Sequence, residues 1–233
     1  TFDRLELSFE QINRFSADVS HEIKTPLSLV RLNVERLLRE QDITPGGKEA
    51  LQDAIEEIHH LDKLIERLLF LSRAQAGEVE LDWQLHNPRE FIDAFLHDGQ
   101  ALAEPQRVVC EVRQNEDGQV RFDSGRMRQV LFNLLANALK ASSPGGHINL
   151  NSTIHDGRWR VTIEDEGEGL PPEKCEVIFE RFVRIKQSTR TPGAGLGLAI
   201  CRSIIDLHNG KISAGARPEG RGLRILLEIP AAI

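Results

Sequence analysis

The chain has 233 residues, 28% of them charged and 40% hydrophobic, with a formal net charge of −7. That length holds roughly one or two domains, and the mixture excludes collagen and wholesale disorder. The acidic balance argues against a general nucleic-acid binder, which carries a basic stripe, while leaving room for a small basic pocket that takes phosphates.

Glycine divides the chain. Residues 1–45 contain none, whereas twelve of the 18 lie between Gly145 and Gly222. The front therefore reads as helical and the back as loop-rich. Leu5, Phe9, Ile12, Val19, Ile23, Pro26, Val30 and Leu37 recur in steps of three and four, with Ser16 and Asn33 filling the register. The pattern predicts a helix about 60 Å long with a seam suited to a bundle. A break is expected at Ile43-Thr44-Pro45-Gly46-Gly47. A second amphipathic run follows through Leu51, Ile55, Ile58, Leu61, Ile65, Leu68 and Leu69, capped near Gly77. Two such helices joined by a short turn make an antiparallel hairpin. One hairpin cannot bury both apolar stripes, so dimerisation into a four-helix bundle is expected.

Beyond residue 78 the periodicity changes. Strands are predicted near Val79–Leu85, Arg107–Arg113 and Gln119–Phe122, with a helix from Pro88 to about Leu102 between the first two. A helix over Ser124–Ala141 precedes strands at His147–Ile154 and Arg158–Glu164. A Gly/Pro-interrupted segment covers 165–194. The last helix runs from near Gly195 to His208, and strands near Lys211–Ala216 and Gly222–Ile229 close an α+β domain. Cys110, Cys175 and Cys201 are odd in number and far apart. They form no disulfide framework or metal-ligand spacing, point to a reducing compartment, and are expected as buried structural thiols. No apolar run approaches ~18 residues and no signal peptide opens the chain. The first residue is Thr1, inside a helical pattern, so the chain reads as a fragment of a longer protein.

Several residues carry chemistry. His21, in Ser20-His21-Glu22-Ile23-Lys24-Thr25-Pro26, lies on the helix face opposite the apolar stripe, and Thr25 shares that face one turn later. Pro26 within a helix costs roughly 3 kcal/mol. A solvated polar face with a kink accounts for these residues. So does an exposed imidazole nucleophile with Glu22 as its acid/base partner and Thr25 orienting a water for the reverse hydrolysis. Asn133 and Asn137, four apart, share a helix face that Lys140 extends, and amide oxygens can ligate Mg²⁺. Asp165-Glu166-Gly167-Glu168-Gly169-Leu170-Pro171 follows a strand, where an ionised Asp165 can accept from an exocyclic amine. Phe179-Glu180-Arg181-Phe182-Val183-Arg184 offers arginines for phosphate. Gly193-Ala194-Gly195-Leu196-Gly197-Leu198 opens a helix, where glycine N–H groups make an anion site. It matches neither Rossmann nor P-loop spacing. Each segment alone is also explained as a cap, an acidic turn, a packed aromatic turn or a helix entry.

Together, and in this order, the segments resemble the histidine kinases of two-component signalling over nearly the whole chain. Residues 15–27 are similar to the family's H box, 128–140 to its N box, 165–171 and 193–198 to its two glycine boxes, and 179–184 to its F box. The resemblance implies an α+β chain. Residues 1–77 would be a dimerisation and histidine-phosphotransfer hairpin, with 1–14 the tail of an upstream signalling helix. Residues 78–233 would be an α/β-sandwich ATP-binding domain of the kind shared with gyrase, Hsp90 and MutL. It implies ATP and Mg²⁺ as ligands, His21 as phosphoacceptor, Glu22 as acid/base partner and Thr25 as a dephosphorylation residue. It also implies Asn137 with Asn133 at the metal, and Lys140 and Arg184 at phosphate. Asp165 would read adenine beside Gly167 and Gly169, residues 170–194 would form a mobile lid, and Gly193, Gly195, Leu196 and Gly197 would meet the phosphates. A homodimer, a response-regulator receiver domain as partner, and a cytoplasmic core anchored to a bacterial inner membrane through an upstream sensor region follow from the same resemblance. The chain departs from the family at Ala141, where an aromatic residue is frequent, and at Ala194, where Thr is common. Two rivals are an ATPase switch of the wider superfamily, which needs no exposed histidine, and a non-catalytic scaffold, against which Asn133, Asn137, Asp165 and the glycines argue.

Overall fold

The computed structural model describes residues 26–38, 43–184, 194–218 and 220–231. The chain divides into two units between Val79 and Glu80.

In the first unit, α1 (26–38) and α2 (Pro45–Gln75) are helical. Helix α2 begins inside the expected break, at Pro45. Thr44 caps α2, its Oγ1 accepting the Gly47 N–H at 3.2 Å, and Pro45 takes the first helical position. Proline loses nothing there, because that N–H has no helical acceptor. The other end is a Schellman motif: the N–H groups of Gly77 and Glu78 donate to the carbonyls of Ala74 and Arg73, with Gly77 at φ +71°. Arg31 of α1 pairs with Asp62 of α2 at 3.6 Å. Leu29, Val30, Leu32 and Leu37 of α1 and Leu61 of α2 remain exposed. Among the described residues no helix is long and apolar enough to cross a membrane.

The second unit is a mixed α/β domain. Its elements are β1 (Gln84–His86), α3 (Pro88–Ala103), β2 (Val109–Asn115), β3 (Val120–Phe122), α4 (Ser124–Ala141), β4 (His147–His155), β5 (Arg158–Glu164), α5 (Gly197–Leu207), β6 (Lys211–Ala216) and β7 (Leu223–Pro230). Five strands form a sheet in the order β2-β4-β5-β7-β6, parallel only at β2–β4, and β1 pairs with β3 separately. Alternation along the strands buries Ile148, Leu150, Trp159, Val161, Ile163, Ile225 and Leu227. The α4 stripe of Met127, Val130, Leu131, Leu134, Leu135 and Ala138, at steps of three and four, joins that core. Trp159 stacks on Phe122 at 4.8 Å and donates its indole N–H to Ser152 at 2.9 Å.

Most expected elements are present. The N-terminal part of the first expected helix, 1–25, lies outside the described residues, and the strand expected over Val79–Leu85 is displaced, since pairing starts only at Gln84. The backbone before it is engaged elsewhere: the Asp82 N–H donates to Asp123 Oδ2 and the Trp83 N–H to the Leu81 carbonyl. Arg107, expected in a strand, adopts φ +56° as the cap of a short 3₁₀ turn, which delays β2 to Val109.

Candidate functional site

His21, Glu22, Thr25 and Gly193 lie outside the described residues. The remaining site residues all belong to the second unit, where chain contacts bring four of the five sequence segments together.

Helix α4 presents Asn133 and Asn137 half-buried and Lys140 exposed. Asn133 meets α5 beside Cys201, whose thiol pKa it lowers, and a Cβ on Gly197 would lie 3.8 Å from its Oδ1. Cys201 also donates to the Val130 carbonyl at 3.7 Å, and burial pushes its pKa up to about 12. The thiol is therefore a neutral strut between α4 and α5, a role the spacing of the cysteines did not signal. Cys110 is buried as expected, but Cys175 is half-exposed in the irregular segment after β5.

The entry to α5 packs against the Phe179–Arg184 segment. The Phe182 N–H donates to the Gly195 carbonyl at 3.1 Å. Gly195 has φ +70°, and a Cβ there would lie 2.8 Å from the Phe182 carbonyl carbon and the Val183 carbonyl oxygen. Only glycine fits that approach. Leu196 is buried and anchors the turn, Phe179 is buried, and Arg184 is exposed.

The turn after β5 holds Asp165, which is 5% exposed. Its Oδ1 accepts two backbone N–H groups, from Gly167 at 2.9 Å and Leu223 at 3.2 Å. Burial raises its pKa, against the opposing effect of those two N–H groups and of the Arg217 guanidinium. Gly167 abuts the end of α4, since a Cβ there would lie 2.9 Å from the Ala141 Cβ. Gly169, at φ +72°, faces Gly222 across a gap that leaves no room for a side chain. Gly222 in turn fits so closely that a Cβ would lie 1.9 Å from the Asp165 carbonyl oxygen. The residues that seat Asp165 from the β6–β7 side, Arg217, Gly222 and Leu223, were not among those the sequence singled out.

Among the described residues no cluster of three or more His, Cys, Asp or Glu side chains could hold a metal ion. The donors the α4 face offers are amide oxygens, which suit a hard cation completed by phosphate oxygens and water.

The family model described as "His Kinase A (phospho-acceptor) domain" matches residues 11–77, and that described as "Histidine kinase-, DNA gyrase B-, and HSP90-like ATPase" matches residues 122–233. The alginate biosynthesis sensor protein KinB of Pseudomonas aeruginosa is 32% identical over 230 residues, 96% of this chain and 38% of that protein. A crystal structure of full-length ShkA in complex with AMPPNP aligns with a TM-score of 0.77 at 30% identity, over 94% of this chain and 46% of that one. A structure of the mycobacterial sensor histidine kinase MprB aligns with a TM-score of 0.58 at 30% identity, over 64% of this chain and 98% of that one. The sensor protein SphS of Synechococcus elongatus is 32% identical, yet the chain spans only 57% of its length.

Proposed function

The chain belongs to the sensor histidine kinases of two-component signalling, and on that premise we propose that it binds Mg²⁺-ATP in its second unit, phosphorylates His21, and passes the phosphoryl group to an aspartate of a response-regulator receiver domain. The domain limits proposed are 1–77 for phosphotransfer and 78–233 for nucleotide binding. The observation that carries this reading is the convergence, in the second unit, of the Asn133–Asn137 face, the buried Asp165 turn and the glycine entry to α5. No single segment would distinguish a nucleotide site from a packed turn.

Asp165 accepts the exocyclic amine of adenine. It is suited to this because Oδ1 is occupied by the Gly167 and Leu223 N–H groups, which leaves Oδ2 to the base. Gly195, Leu196 and Gly197 bring backbone N–H groups to the phosphates at the start of α5, with Lys140 and Arg184 adding positive charge. Asn137, with Asn133, would hold Mg²⁺, which neutralises charge on the transferring phosphates. In the transfer, one ring nitrogen of His21 attacks the γ-phosphorus. The bond from that phosphorus to the bridging oxygen breaks, ADP leaves, and Glu22 takes the proton from the other ring nitrogen. Thr25 orients the water that hydrolyses the phosphorylated regulator. The apolar side chains exposed on α1 and α2 support a homodimer through the hairpin. An upstream sensor region would link the core to a membrane.

The test is incubation with labelled Mg²⁺-ATP. Acid-labile, base-stable label on the parent chain, lost in His21→Gln and in Asn137→Ala, is the expected result. Equal label on His21→Gln would overturn the assignment of the phosphoacceptor.

A further inference from the structure

The carboxylates of Glu164, Asp165 and Glu166 are consecutive at the end of β5, and the Arg217 guanidinium reaches the two that flank Asp165. Arg217, at the end of β6, has a side chain only 9% exposed. Its Nη1 donates to Glu166 Oε1 at 3.0 Å, and its Nε lies 3.9 Å from Glu164 Oε2, too far for a hydrogen bond. That Nε is buried without a hydrogen-bond partner. Glu166 in turn accepts the His147 N–H through Oε2 at 3.0 Å. A fork-shaped cation thus joins the β6–β7 end to the turn that carries Asp165, and the same turn is tied to the start of β4.

We infer that Arg217 is a positioning residue for the nucleobase: it fixes the 165–167 turn and sets a positive charge against that turn, whose Asp165 carboxylate accepts from an adenine amine. The inference rests on the nucleotide reading given above and names what makes that carboxylate competent. A buried cation needs matched charge, and a buried carboxylate next to two others needs a cation. Burial raises the Asp165 pKa, and the Gly167 and Leu223 N–H groups and then Arg217 lower it. Without Arg217, the guanidinium still paired with these three adjacent acids among the described residues is that of Arg224, 3.5 Å from Glu164 on β7. The like charges then favour protonation of the most buried acid, Asp165. A protonated Asp165 offers a donor where the base also presents one. Ionisable groups at the element ends around Asp165 include Glu164, Glu166 and Glu168 on its own turn, His147 at the start of β4, Lys140 at the end of α4, and Arg217, Arg221 and Arg224 from the β6–β7 end.

A purely architectural ion pair would change stability and leave the pH profile of binding in place. ATP binding to the full 233-residue chain, measured calorimetrically from about pH 5 to pH 8, separates the two. Thermal midpoints are recorded alongside. Arg217→Gln is expected to weaken ATP binding about tenfold or more at neutral pH, and to move the acid limb of binding upward in pH. Arg217→Lys, which keeps the charge, is expected to restore the acid limb and much of the affinity. Glu166→Gln, which removes the hydrogen-bonded partner but leaves the cation beside Asp165, is expected to keep the acid limb near its parent position. A parent chain that binds ATP beside an Arg217→Gln chain with equal affinity and an unshifted acid limb overturns the inference alone. A folded parent chain that binds no ATP overturns the nucleotide reading itself. If Arg217→Gln fails to fold, the Arg217→Lys and Glu166→Gln profiles decide: acid limbs near the parent position in both are expected, and an acid limb moved upward in pH in either one overturns the inference.

Discussion

The Asp123 backbone N–H donates to Nε2 of His208, 85 residues further on, at 3.1 Å. The imidazole is buried, and its Nδ1 donates to the Ile204 carbonyl at 2.7 Å. Asp123 is also the N-cap of α4, Oδ1 accepting the Arg126 N–H at 2.9 Å, and its Oδ2 takes the Asp82 N–H. One neutral histidine thus ties the end of α5 to the start of α4. At the other end of the same helix pair, Asn133 meets Cys201 and Gly197.

The tie depends on an unprotonated Nε2, and burial lowers the His208 pKa against the opposing pull of Ile204 and Asp123. A lowered native pKa means that the unfolded chain binds the proton more readily. Stability from this group is therefore complete above the unfolded value of about 6.5 and is lost as pH falls below it toward the native value. His208→Gln keeps an acceptor and removes the titration. It is expected to lower stability at about pH 7.5 by about 1–2 kcal/mol. It is also expected to show a smaller further loss at about pH 5.5 than the parent does. Urea denaturation of both chains at the two pH values checks this, and parallel pH dependences would refute it.

Gly222 and Gly145 both have positive φ, +140° and +85°, yet their surroundings differ. A Cβ on Gly222 would meet the Asp165 carbonyl, whereas one on Gly145 meets nothing within 4 Å. Gly145→Ala carries only the backbone penalty, about 1 kcal/mol. Gly222→Ala must in addition separate the β6–β7 end from the Asp165 turn. Its expected loss is about 3 kcal/mol or more, together with most of the ATP affinity. Thermal melts and ATP titrations of the two variants give the comparison.

How far the sequence could lead is visible at these same residues. Asp165, Asn133 and Asn137 were legible because each sits in a short segment whose spacing carries its own chemistry. The same holds for α4, predicted over Ser124–Ala141 and found there, since helical periodicity is a local property. What seats those residues was not legible. Leu223 and Arg217 reach Asp165 from more than 50 residues away, and Cys201 reaches Asn133 from 68. Those partnerships depend on strand order, in which β7 pairs with β5 and β6 with β7, and no local pattern encodes it. The strand expected before Gln84 failed for a related reason, because a distant acceptor on Asp123 claimed its backbone.

Burial raises the Asp165 pKa, whereas accepting an adenine amine needs the ionised form, so native stability and nucleotide recognition pull in opposite directions there. With a raised native pKa, the carboxylate destabilises the fold as pH rises through that value. Asp165→Asn can keep the Oδ1 bonds to Gly167 and Leu223 while removing the charge. Its stability at about pH 7.5 is expected to be no lower than the parent's. Its ATP affinity should fall about tenfold or more, because an amide N–H then faces the base amine. A melt and a titration on the same sample measure both.

The cysteines provide a test of the helix contacts that needs no nucleotide. Burial raises the Cys110 pKa and pushes that of Cys201 to about 12. Thiolate is the reactive form, so both are protected twice, by access and by protonation. Cys175 is half-exposed, its Sγ 3.7 Å from the Pro171 carbonyl. Brief maleimide treatment of the native chain is expected to modify Cys175 alone, and treatment in denaturant all three, as read by peptide mass spectrometry. Native modification of Cys201 would contradict its seat between α4 and α5.

Leu29 and Leu32 lie one turn apart on α1 and are 58% and 62% exposed. Val30 and Leu37 widen that apolar face, and Leu61 of α2 is exposed as well. A water-exposed face of this kind on a two-helix unit is stabilised by covering it, and a second hairpin provides matching ridges. Fully burying a leucine is worth about 1.5–3 kcal/mol, so placing carboxylates at Leu29 and Leu32 should undo the association. Light scattering is expected to give a dimer for the parent chain and a monomer for the Leu29→Glu, Leu32→Glu double variant. ATP affinity should be unchanged in the variant, because the residues assigned to the nucleotide all lie in the second unit. A variant that stays dimeric would place the dimer contact elsewhere than this face.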